Sequence, residues 1–165
     1  MTKRKKTDNF PYLTAVRFPT LLVIIHSLIS FAITYFAYRD VGVTEVLKMN
    51  PIVGIMTLLL LVATIGILLY TGYASVSKYN ATMKNTIIVG LIISSLQTVL
   101  SYLTVGLSYF VVPFYKALYA PVFVLLQEPI IIVMIFAMIL STIFAIGINT
   151  GITAIGGLIA KSRTK

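Results

Sequence analysis

The sequence predicts an all-α integral membrane protein: a four-helix transmembrane bundle with its N- and C-termini on the cytoplasmic side. Three observations carry this. Of 165 residues, 59% are hydrophobic and only 10% are charged, and the mean hydropathy is +1.01. A soluble domain carries about 25% charged residues, so this chain has too few polar side chains to coat a globule. The hydrophobic residues are gathered into four long runs, each sufficient to cross a hydrocarbon layer about 30 Å thick as a helix. The charge is segregated as well. With four spans, ten basic residues fall on the side of the termini and three (Arg39, Lys48 and Lys116) on the other. This is the positive-inside pattern; the expected location is the plasma membrane.

That pattern also accounts for the net charge of +9. Lys3, Arg4, Lys5, Lys6 and Arg17 are expected to contact anionic lipid headgroups, and no nucleic-acid partner is expected. The absence of cysteine excludes disulfides, thiolate nucleophiles and cysteine-ligated metals. One histidine and four acids leave little to build a metal site from, and neither metal nor cofactor is expected.

Residues 1–17 form a basic N-terminal tail, in which Phe10–Leu13 makes an interfacial lead-in. A single membrane domain, 18–160, follows, and 161–165 is a basic tail. The first span, 18–38, carries a stripe of Ser27, Ser30, Thr34 and Ala37, with His26 beside it. The segment 39–50 is an outer loop in which Thr44 caps a short surface helix. The second span, 51–73, opens on Asn50-Pro51, a good cap followed by a proline that loses no helical bond at the first position. Its Thr57, Thr64 and Thr71 recur every seven residues, and each is expected to bond its own preceding-turn carbonyl. An inner loop is expected over 74–84. The triplet Asn80-Ala81-Thr82 within it matches a glycosylation sequon, which would serve as a test of sidedness.

The third span, 86–112, is the most informative. Gly90, Ser94, Gln97, Ser101, Thr104 and Ser108 follow at spacings of four and three, placing small and hydrogen-bonding residues on one helical face. In lipid such a face packs against neighbouring helices while bulky residues meet the tails. Residues 113–128, divided by prolines and rich in aromatics, suit an interfacial or re-entrant segment. The last span, 130–160, exceeds the hydrocarbon thickness and must tilt, bend or protrude. Along it Ala137, Ser141, Ala145, Asn149, Thr153 and Gly157 recur every fourth residue, and Gly147 and Gly151 form a GxxxG. Both patterns favour close helix contact, within one chain or between chains. Gly156-Gly157 is expected to loosen the end of this helix.

Three strongly polar side chains lie within the spans: His26, Gln97 and Asn149. Counted from the predicted boundaries, all three fall roughly 12–17 Å from the inner surface at 1.5 Å per residue. They are the candidate intramembrane site, with Ser94 and Ser101 beside them. The plainer alternative is a hydrogen-bonded clasp between helices.

Catalysis is not expected. No span carries a core Asp or Glu, and there is no HExxH helix or phosphate loop. Two functional readings remain. The first is a structural or accessory subunit that packs with itself, as a homo-oligomer, or with other membrane proteins. The second is a small oligomeric channel or transporter with a polar layer at His26, Gln97 and Asn149. The four-span layout by itself names no activity.

Overall fold

The computed structural model describes residues 10–39, 51–112 and 130–163. Among these the chain is all-helical, with four helices long and apolar enough to span a membrane. They are α1 (Tyr12–Tyr38), α2 (Pro51–Tyr79), α3 (Met83–Val111) and α4 (Ile130–Arg163). At 1.5 Å per residue these are about 40–50 Å long, so each overruns the hydrocarbon thickness. The short helix expected around Thr44, the Lys3–Lys6 cluster and the segment 113–128 lie outside the described residues.

The inner loop expected over 74–84 is far shorter than that. Helix α2 continues through Tyr79 and α3 begins at Met83, leaving three residues between them. The turn is made by local chemistry. Asn80 adopts the left-handed backbone (φ 51°), which asparagine tolerates better than most residues. The Ala81 N–H returns to the Ser75 carbonyl at 3.0 Å. Thr82 then caps α3, its hydroxyl accepting the Asn85 N–H at 3.3 Å, which satisfies one of the free donors of a helix start.

Helix directions follow from contacts at both levels. Tyr12 donates to Asn85 Oδ1 at 2.8 Å, so the starts of α1 and α3 meet. The Tyr79 hydroxyl reaches the Thr14 carbonyl at 3.4 Å, so the end of α2 meets the start of α1. Helices α1 and α3 therefore run one way and α2 the other; α4, whose Thr150 meets Ser94 and whose Gly157 meets Thr86, runs against α3 and with α2. Arg17, Lys78, Lys84, Lys161 and Arg163 consequently share one end of the bundle. Helices α2 and α3 form the middle of the assembly. Helix α1 packs on both from one side and α4 packs on both from the other, the α2–α4 interface being the most extensive.

Packing is concentrated toward the basic end. Val23 from α1, Leu68 and Thr71 from α2, Val89 and Ile93 from α3 and Thr153 from α4 are fully buried. In the opposite half α2 is exposed at nearly every position from Pro51 to Ile65, and α4 is exposed from Ile132 to Ser141. Leu58, Leu61, Val133 and Phe136 are all more than half exposed. A belt of that kind is foreign to a water-facing surface.

Close approach in the packed half is made by glycine. A Cβ on Gly72 would stand 1.7 Å from the Thr153 carbonyl oxygen, and one on Gly156 would stand 2.1 Å from the Leu69 oxygen. Helices α2 and α4 thus touch backbone to backbone. Gly156-Gly157 does not loosen α4: the helix runs on to Arg163, and both glycines are buried against α2 and α3.

The GxxxG has a different fate. Among the described residues, nothing lies within 4 Å of a Cβ placed on Gly147 or Gly151. Ala137 and Ser141 are likewise exposed; the neighbouring Thr142 still meets the Tyr102 hydroxyl of α3. Only the later part of the predicted series is buried, with Thr153 at 0% exposure and Gly157 against Thr86.

Candidate functional site: a polar cleft between α1 and α3

The polar seam of α3 meets two different neighbours. Toward the basic end it faces α4. A Cβ on Gly90 would lie 3.1 Å from Thr153 Cβ, and Ser94 Oγ lies 3.4 Å from the Thr150 hydroxyl, which donates to it. Further along, Gln97, Ser101, Thr104 and Ser108 turn to α1, whose own stripe of Ser27, Ser30 and Thr34 comes opposite, with His26. Together with Val105 they enclose a cleft of about 180 Å³. That is room for several waters or one small solute. The lining follows from matched periods: on each helix the polar residues recur every three or four positions, so each presents one polar edge.

His26 forms the wall between this cleft and a second space. Its Nε2 lies 3.1 Å from the main-chain oxygen of Leu60 and 3.2 Å from the Thr64 hydroxyl oxygen. A carbonyl oxygen only accepts, so Nε2 carries the proton and donates. In the neutral ring Nδ1 is then the acceptor. On the α2 side of His26 lies an apolar groove of about 370 Å³, lined by residues such as Ile25, Ile29, Leu59 and Ala63.

The three threonines of α2 behave unequally. Thr57 and Thr71 bond the carbonyls of Val53 and Ile67, as expected, at 2.9 and 2.7 Å. Thr64 is the member that reaches His26.

Two polar atoms in the cleft lining stand out. Gln97 Oε1 and Ser108 Oγ are both buried and have no hydrogen-bond partner among the described residues. Ser108 as a whole is 1% exposed. Native structures pair the great majority of such groups, and leaving one unpaired costs about 1–3 kcal/mol.

The predicted layer of His26, Gln97 and Asn149 is brought together only in part. His26 and Gln97 line one cleft. Asn149 lies on α4, which has no extended interface with α1. It is half-buried, and its carbonyl accepts the Thr153 hydroxyl at 3.0 Å. Depth along a helix fixes the level of a residue but not its neighbour, which is why the sequence groups all three. Ser101 lines the cleft, whereas Ser94 is buried at 0% exposure against α4. Ser27, Ser30 and Thr34 belong to the cleft too, and their signal was the stripe on the first span. Arg17 is exposed on α1 near the basic end.

Comparison of the chain with protein-family models, with curated proteins and with solved structures gives no match.

Proposed function

We propose that this chain is a multi-pass protein of the plasma membrane, acting as a small oligomeric channel or transporter whose working part is the α1–α3 cleft. The observation that carries this reading is the pair of buried atoms without a partner among the described residues, Gln97 Oε1 and Ser108 Oγ, in the cleft lining. A purely structural polar seam would close on itself, since its advantage in lipid lies in completed interhelical bonds. This one is held open between two polar edges. His26 supplies one wall and is itself fixed by α2. No catalytic step is assigned to it. The shared position of Arg17, Lys78, Lys84, Lys161 and Arg163 supports an orientation with both termini in the cytoplasm and that end against anionic headgroups. The test is reconstitution in liposomes with a panel of ions, protons and neutral solutes. Flux of any of these that Gln97→Leu reduces is the expected result, and an inert protein counts against the reading.

A second reading, an accessory subunit that packs with itself or other membrane proteins, is favoured by the open glycines of α4. Gly147 and Gly151 have nothing against them within 4 Å, which leaves room for the backbone of another helix. Native mass spectrometry from mild detergent distinguishes it: other subunits at fixed stoichiometry support an accessory role, and a lone monomer counts against it.

A further inference from the structure

We infer that the α1–α3 cleft selects small uncharged solutes that donate hydrogen bonds, of the size of a polyol or an amide such as glycerol or urea, and rejects ions. This rests on the reading of the cleft as a solute path and adds the class of solute. Three features of the lining lead there. The first is charge. The cleft residues carry hydroxyl and amide groups and one imidazole, with no carboxylate, lysine or arginine among them. An ion entering would lose hydration and meet no fixed countercharge among the described lining residues, which disfavours either sign. A neutral solute exchanges its water bonds for hydroxyl bonds at little cost.

The second is the polarity of the unmet need. Among the described residues, Gln97 Oε1 is an acceptor buried without a donor, while Ser108 Oγ can donate or accept and is likewise unpartnered. Eleven residues separate them on α3, about 16 Å along the axis. Ser101 and Thr104 fall between them. A solute with several O–H or N–H groups can pass from one such rung to the next, donating at each.

The third is the state of His26. Its Nε2 is committed to the Leu60 carbonyl and the Thr64 hydroxyl on α2. Both contacts fix the ring against α2 and set which of its edges faces the cleft. His26 therefore serves as a fixed wall of the cleft rather than as a moving part.

The experiment is stopped-flow light scattering of proteoliposomes under glycerol and urea gradients, run beside potassium and proton leak assays on the same vesicles. Glycerol or urea entry above that of protein-free vesicles, with no added potassium or proton leak, is expected. Gln97→Leu should reduce that entry about tenfold, the ratio corresponding to loss of one hydrogen bond to a buried group. Ser108→Ala, which removes a hydroxyl with almost no change in volume, should reduce it as well. Gly54→Ala, with open space around it on α2, should leave it unchanged. Potassium or proton flux that depends on Gln97, with no glycerol or urea entry, would overturn the solute class while leaving a transport function standing. Water permeation alone overturns the class too. Absence of every flux defeats both this inference and the reading beneath it.

Discussion

The Cα of Gly72 lies so close to Thr153 that a methyl group on it would stand 1.7 Å from the Thr153 main-chain oxygen. No rotamer change relieves a clash with backbone, so α2 and α4 would have to part. Gly72→Ala is expected to destabilise the bundle by about 2–3 kcal/mol, the upper range for overpacking. Gly156→Ala, opposed to the Leu69 oxygen at 2.1 Å, should do the same. Gly147→Ala and Gly151→Ala, with open space around them, should instead be neutral or stabilise by roughly 0.5–1 kcal/mol through helix propensity. Thermal unfolding in mild detergent reads all four.

Gln97→Leu should raise stability while reducing solute entry. It deletes a buried acceptor that has no partner among the described residues, relieving a penalty of about 1 kcal/mol or more. A higher unfolding midpoint together with reduced entry is the expected pairing. A lower midpoint would mean that Gln97 holds the helices together.

The link between α1 and α2 through His26 should appear as a coupling. Thr64→Val and His26→Leu each remove one side of the 3.2 Å contact. Interhelical bonds in membranes average about 0.6 kcal/mol. The double variant should therefore be less destabilised than the sum of the singles by roughly that amount, measured as a double-mutant cycle. Additive effects would mean that the contact carries no energy of its own.

Thr82→Ala should cost about 1 kcal/mol by removing the cap of α3, whose hydroxyl accepts the Asn85 N–H. The same bond engages the hydroxyl of the Asn80-Ala81-Thr82 sequon, which occupies a three-residue turn with Ala81 only 9% exposed. The triplet should stay unmodified in glycosylating microsomes whichever side it faces. An acceptor site placed after Arg163 is the sounder probe of orientation.

The helices, and the polar edges of α1 and α3, were legible in the sequence because each is a periodic property of a single helix. What was not legible is which helix each edge meets. Gly90, Ser94, Gln97 and Ser108 share one face by spacing, yet the first two serve α4 and the last two face α1. The glycine pattern misled for the same reason. Gly147 and Gly151 have the motif spacing without a partner, whereas Gly72 and Gly156 have no mutual spacing to notice, since their contact joins two helices distant in sequence.

Helix α1 is anchored by one end. Ala15, Val16, Pro19 and Val23 are buried, and no residue beyond Val23 is. Its remaining length forms a wall of the polar cleft on the α3 side and of the apolar groove on the α2 side, the two meeting at His26. One wall shared by two compartments makes their contents thermodynamically linked. An acyl chain that lodged in the groove and shifted α1 would alter the affinity of the cleft for a bound solute. By reciprocity the solute would alter the affinity of the groove for the chain by the same factor. The lipid composition of the bilayer would then be an input to the protein rather than only its solvent.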